Sequence, residues 1–91
     1  KMHFLMRARA LVAFPGGFGT LDELFEVLTL VQTRKARPVP IVLFGSDYWR
    51  RLLNLDMLVE EGAIAPEDLA LYEVVDTPEE AWEVIRAFYR L

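Results

Sequence analysis

The sequence predicts an α/β fold, a parallel sheet with helices on both faces, and three observations carry that prediction. Two short runs, Ala10-Leu11-Val12-Ala13-Phe14 and Pro40-Ile41-Val42-Leu43-Phe44, are apolar without polar alternation, as in parallel strands covered on both sides. Helical periodicity fills the stretches between the strands, so helix and strand alternate along the chain. A glycine-rich turn, Pro15-Gly16-Gly17-Phe18-Gly19, leads from the first strand straight into a helix. The 91 residues, 54% hydrophobic and 26% charged, make at most one small globular domain.

Residues 1–9 read as the end of a helix, so the chain is expected to be the C-terminal part of one domain, with residues 1–91 all belonging to it. After the first strand, a helix is expected over residues 20–33. Leu21, Leu24, Phe25, Leu28 and Val31 share one face, and Val27 and Leu30 widen the stripe. Such a helix is buried twice, against the sheet and against a second partner such as another subunit. Beyond the second strand, Ser46 is a candidate N-cap for a helix running to Gly62. Glu60 and Glu61 in its last turn oppose the helix dipole slightly. Ala65-Pro66-Glu67-Asp68-Leu69 reads as a short helical turn, and Tyr72-Glu73-Val74-Val75 as the third strand. Thr77-Pro78-Glu79-Glu80 then opens a last helix, with Thr77 as N-cap, Pro78 at the first helical position and Glu80 closing a capping box. Three strands alone leave two open edges, and the expected completion is further strands from an N-terminal segment.

Composition excludes several function classes. A net charge of −4 argues against a nucleic-acid binder and against an anionic membrane surface as partner. The basic residues form only short groups, Arg7/Arg9 and Arg34/Lys35/Arg37, that read as solvated faces. There is no cysteine, so disulfides, thiolate metal sites and cysteine nucleophiles are all excluded, which suits a cytoplasmic setting. No apolar run reaches the length of a membrane span. His3, the sole histidine, is expected on a helix rather than in a metal site. Trp49, Trp82, Met2, Met6 and Met57 read as core packing.

The glycine turn carries the chemistry. A strand, glycines and a helix start together present free N–H groups and the positive end of a dipole, a site for a phosphate group. Gly16, Gly17 and Gly19 let a ligand approach the backbone, and Thr20 adds a hydroxyl. A tight turn without ligand is the alternative. The loop is neither a Walker motif, which ends Gly-Lys-Ser/Thr, nor a dinucleotide fingerprint, because Asp22 stands where that motif has its third glycine. Asp22 and Glu23 are expected in the first helical turn. Thr20-x-x-Glu23 is a capping box on local grounds. Two carboxylates beside a phosphate site also suit a ligand with a phosphate at one end and a sugar beside the acids. There a carboxylate can hold ribose hydroxyls, activate water or stabilise positive charge on the sugar carbon. Glu26, one turn later, reads as a helix-surface charge.

Pro15-Gly16-Gly17-Phe18-Gly19-Thr20-Leu21-Asp22-Glu23 matches the PGGxGTxxE signature residue for residue, and on it the chain resembles the LOG family. Members of that family are cytokinin riboside 5′-monophosphate phosphoribohydrolases, many once labelled possible lysine decarboxylases. The flanking Leu24-Phe25-Glu26 and Leu28-Thr29-Leu30-Val31-Gln32-Thr33 are similar to the family's following helix. The resemblance implies a Rossmann-like fold, a homodimer, no cofactor, and hydrolysis of a nucleoside 5′-monophosphate to free base and ribose 5-phosphate. It implies that Gly16, Gly17, Gly19 and Thr20 cradle the phosphate and that Glu23 is catalytic. It also places the family's Arg-Lys pair so that Lys1 is its lysine, with the arginine and a further glycine-rich loop upstream.

The decarboxylase label finds no support, because a pyridoxal enzyme needs a Schiff-base lysine and the only lysines are Lys1 and Lys35. Three readings stay in play: hydrolysis of a cytokinin precursor, the same chemistry on AMP, and a non-catalytic nucleotide or cofactor carrier.

Overall fold

A computed structural model describes residues 10–91. The expectations for Lys1, Met2, His3, Met6, Arg7 and Arg9 fall outside the described residues. The chain forms β1 (Leu11–Ala13), α1 (Phe18–Gln32), β2 (Ile41–Phe44), α2 (Ser46–Leu52), α3 (Leu55–Glu60), a 3-10 helix (Pro66–Leu71), β3 (Tyr72–Val75) and α4 (Pro78–Tyr89). The three strands pair in parallel in the order β1-β2-β3. Leu11 lies opposite Ile41 and Ala13 opposite Leu43; Leu43 in turn lies opposite Val74. This is the predicted α/β architecture, a Rossmann-like parallel sheet.

Because side chains alternate across a strand, this register sorts the sheet into two faces. Ala13, Ile41 and Leu43 pack with Leu24, Val27 and Val31 of α1 and with Trp49 of α2. On the opposite face Val42 and Val75 meet Ala81 of α4, with Val12, Phe44 and Val84 beside them. Val42 is fully buried, as a central-strand residue covered on both sides must be.

Four expectations about the helices need correction. First, α1 begins at Phe18, not Thr20, and its N-cap is Gly17, with no side-chain cap. Thr20 therefore lies inside the first turn and the Thr20–Glu23 capping box does not form. The first turn contains no acidic residue: Asp22 and Glu23 fall in the second. Phe18 and Gly19 are accepted as helical because the first-turn N–H groups need no intrahelical acceptor. Second, the helix expected from Ser46 to Gly62 is two helices. Asn54 divides it: its side chain accepts a hydrogen bond from the Met57 N–H at 3.3 Å and starts α3 afresh, while Leu53 is extended. Third, Gly45 is the N-cap of α2 and Ser46 is its first residue. Fourth, Trp82 is 54% exposed and Met57 42% exposed, so neither belongs to the core, whereas Trp49 does, at 2%. Helical spacing alone does not distinguish the buried tryptophan from the exposed one.

Other expectations hold. Gly62 takes the left-handed conformation just after α3. Thr77 caps α4: its hydroxyl accepts from the Glu80 N–H at 3.1 Å, and the Glu80 carboxylate accepts from the Thr77 N–H at 3.2 Å. Among the described residues, no helix is long and apolar enough to cross a membrane.

Two substitutions should rank the contributions to this fold. Leu43→Ala removes a buried side chain from the central strand and is expected to cost about 2–5 kcal/mol. Thr77→Ala removes one cap and is expected to cost about 1 kcal/mol. Urea unfolding of both variants measures the difference, and a Thr77→Ala loss equal to that of Leu43→Ala contradicts this ranking.

Candidate active site

The three strands end at one edge of the sheet, and the segments that follow are tied together there. After β1, Pro15 approaches Gly45 of the next strand–helix turn. Gly45 has φ +104°, and a Cβ on it would lie 3.3 Å from Pro15 Cγ. The positive φ favours glycine at that position, and the nearby proline adds a tight contact for any Cβ. The Gly45 N–H donates to the Val75 carbonyl at 2.8 Å. Asp76, following β3, accepts from both the Ser46 N–H and the Ser46 hydroxyl at 2.8 Å. These bonds, the backbone one first, hold the Asp76 carboxyl below the usual aspartate range.

Tyr48, one turn into α2, donates its hydroxyl hydrogen to the Gly16 carbonyl. Its ring sits edge-on against Trp49, with centroids 5.2 Å apart, and Trp49 Nε1 donates to the Phe44 carbonyl at 3.0 Å. The residues around this turn thus carry the glycine loop from below.

The three loop glycines do different work. None of them takes a positive φ; among the described residues only Gly45 and Gly62 do so as glycines. What glycine supplies in this loop is therefore space, as expected for close approach of a ligand, and not a left-handed conformation. A Cβ on Gly16 would lie 2.3 Å from Thr20 Oγ1, because the threonine folds back over the loop. At Gly17 and Gly19 a Cβ would meet nothing within 4 Å, so both present bare backbone to open space. The first bond of α1 runs from the Leu21 N–H to the Gly17 carbonyl at 3.1 Å. The N–H groups of Gly17, Phe18, Gly19 and Thr20 precede it and have no acceptor within the helix.

Gly19, Thr20 and Glu23 line one cleft of about 410 Å³, whose other wall is β1 with Phe14 and Pro15. Gly16 and Gly17 do not line it: Gly16 sits beneath Thr20 and Gly17 stands exposed at the rim. Glu23 is half-buried while Asp22 points to solvent, so the adjacent acids part ways. On a helix, Glu23 lies about 7 Å along the axis from Phe18.

Two features escaped the sequence. Glu26, expected as a surface charge, is half-buried, and its Oε1 is shielded from solvent with no hydrogen-bond partner among the described residues. Its place on the Glu23 side of α1, at i+3, was the available signal. Tyr48 had no signal, since its partner is a backbone carbonyl 32 residues away. Lys35 lies exposed in the turn after α1, without the enclosed pocket that a Schiff-base lysine requires. Among the described residues, no cluster of His, Asp or Glu is placed to hold a metal ion.

Comparison with known proteins decides the family. The sequence profile of the family described as "Possible lysine decarboxylase" matches residues 1–85. The chain belongs to this family, the LOG family. A cytokinin riboside 5′-monophosphate phosphoribohydrolase of Arabidopsis thaliana is 40% identical over 88 residues, which are 94% of this chain and 39% of that protein. A probable enzyme of the same name from Oryza sativa subsp. japonica is 34% identical over 90 residues, 97% of this chain and 36% of its own. The chain thus spans less than half the length of these LOG relatives, 36% and 39%.

The glycine geometry generates a test of function against fold. Gly19→Ala places a better helix former in the first turn of α1 and is expected to raise stability by about 0.5–1 kcal/mol. Gly16→Ala forces Thr20 aside and is expected to lower it. Thermal unfolding of the two variants should move in opposite directions. A second prediction concerns acid. The lowered Asp76 carboxyl contributes stability above its unfolded titration range, and this is lost as pH falls through its lower folded value. Asp76→Asn should therefore flatten part of the decline of melting temperature between about pH 5 and 2. An unchanged acid profile counts against the Ser46–Asp76 tie.

Proposed function

We propose that this chain is the C-terminal part of a Rossmann-like N-glycosidic hydrolase that converts a nucleoside 5′-monophosphate into free base and ribose 5-phosphate. The observation carrying this reading is the position of Glu23: it shares a cleft with Gly19 and Thr20 and follows the first-turn residues Phe18, Gly19 and Thr20 by five, four and three positions on α1.

In this reading the phosphate sits against Gly16, Gly17, Gly19 and Thr20, held by backbone N–H groups, the Thr20 hydroxyl and the helix dipole. The axial rise from the first-turn residues Phe18–Thr20 to Glu23, about 4.5–7.5 Å, sets the carboxylate further along the cleft than the phosphate, on the side where the ribose would lie. Glu23 then faces the sugar. As the bond from C1′ to the base nitrogen breaks, its electron pair leaves with the base, which takes up a proton. The carboxylate stabilises the positive charge on the sugar carbon and orients the water that adds to C1′, accepting a proton from it. No cofactor is required by this chemistry.

The relatives' names favour a cytokinin riboside monophosphate as substrate. AMP presents the same phosphate, ribose and glycosidic bond, and hydrolysis of AMP is the second form of the proposal. The reading includes a homodimer, because α1 keeps apolar surface away from the sheet, with Phe25 39% exposed. It also places the protein in the cytoplasm, without nucleic-acid or membrane partners.

Glu23→Ala in the full protein should abolish release of adenine from AMP and of base from a cytokinin riboside monophosphate, a loss of at least about 10²-fold, while nucleotide binding persists. Chromatographic detection of free base together with calorimetric binding separates the two. Unchanged turnover sinks the catalytic role of Glu23. Tight nucleotide binding by the wild type with no turnover on either monophosphate favours a non-catalytic carrier instead. Light scattering that finds a monomer at micromolar concentration overturns the dimer.

A further inference from the structure

We propose that Tyr48 is a positioning residue for this site: by donating to the Gly16 carbonyl it fixes the orientation of the Gly16–Gly17 peptide, and so aims the Gly17 N–H at the phosphate. The inference rests on the reading of the glycine loop as a phosphate site, and it adds a residue outside the signature.

The argument starts from the peptide plane. A trans peptide is planar, and its C=O and N–H point in opposite directions. The Gly16 carbonyl is held by the Tyr48 hydroxyl on the α2 side of the loop. The N–H of Gly17, in the same plane, therefore points away from Tyr48. Around Gly17 the space is open: a Cβ there would touch nothing within 4 Å. A peptide between two glycines lacks the Cβ atoms that would oppose its rotation. Without its hydroxyl partner it can turn over and present a carbonyl oxygen, the wrong end of the dipole, to an anion.

The tyrosine itself is well fixed. Its ring is half-buried and packs edge-on against Trp49, which is buried and bonded to the Phe44 carbonyl. Gly45, the N-cap of α2, is held against Pro15 at the distance a missing Cβ allows. The hydroxyl is thus carried by the core of the sheet, and the loop takes its orientation from that core rather than from its own residues.

Tyr48→Phe in the full protein tests this, because the ring and its packing on Trp49 remain and only the donor is lost. The KM for the nucleoside monophosphate and the inhibition constant for ribose 5-phosphate are expected to rise together by about tenfold, the factor to which one net hydrogen bond corresponds. The kcat should change by less than about twofold, since uniform binding is what is removed. Unchanged KM and inhibition constant overturn the proposal, as does a fall in kcat alone. A measurement on the wild type makes the test independent of the variant's folding: on titration with ribose 5-phosphate the Gly17 amide resonance should shift. A Gly17 amide that does not respond while the ligand binds overturns the role of Tyr48 and leaves the proposed hydrolase standing. A wild type with neither monophosphate turnover nor affinity for ribose 5-phosphate overturns both.

Discussion

Gly45 turns at a φ of +104° with Pro15 close against it, and the geometry around the glycine loop is built on that turn. It arises because β1 and β2 run parallel and in register, so their carboxyl ends turn outward at the same level. Where the two turns meet, Gly45 takes a φ of +104° that L side chains rarely adopt, and a Cβ on it would press on Pro15. Having Gly45 there starts α2 immediately, and starting α2 there brings Tyr48 one turn later beneath Gly16. On the other side the Gly45 N–H reaches the Val75 carbonyl, and Ser46 reaches Asp76. The ends of all three strands are joined through the few residues of the β2–α2 turn.

This arrangement loads the glycine loop from one side and leaves it bare on the other. Gly16 is crowded by Thr20 and held by Tyr48, whereas Gly17 and Gly19 face open space. Gly17 serves as the N-cap of α1, where glycine is favoured over alanine, but a loop built only to connect a strand to a helix has no such need of Gly19, because alanine there would meet no neighbour and would cost less entropy on folding. A bare Gly19 suits a backbone that must admit another molecule.

Most of the fold was legible in the sequence, and the reason is that parallel strands and capped helices announce themselves locally. The apolar runs located β1 and β2, and Thr77-Pro78-Glu79-Glu80 located the start of α4 within its own residues. What misled was competition between equally good local signals. Thr20 with Glu23 has the spacing of a capping box, but Gly17 caps the helix instead and Thr20 turns back over Gly16. Asn54 ends one helix by capping the next, in a stretch whose apolar pattern continues through it. The loop of the candidate site was legible because its signature is contiguous. Tyr48 and the shielded oxygen of Glu26 were not, since what defines each is a three-dimensional surrounding with no pattern in the chain.

Moving Glu23 from the first turn of α1 to the second also removes a difficulty in the chemistry. Carboxylates in the first turn would repel a phosphate bound to the same N–H groups, and either the anion or the acids would have to be explained away. With the first turn free of acids, the dipole end is open to an anion, and the Glu23 carboxylate stands further along the cleft. Asp22 is exposed whereas Glu23 is half-buried, so of the two adjacent acids only Glu23 lines the cleft. A site that only gripped phosphate would gain nothing from a carboxylate on its wall, because the two negative charges repel. In the hydrolysis proposed above, positive charge on a sugar carbon is what gives that carboxylate its use.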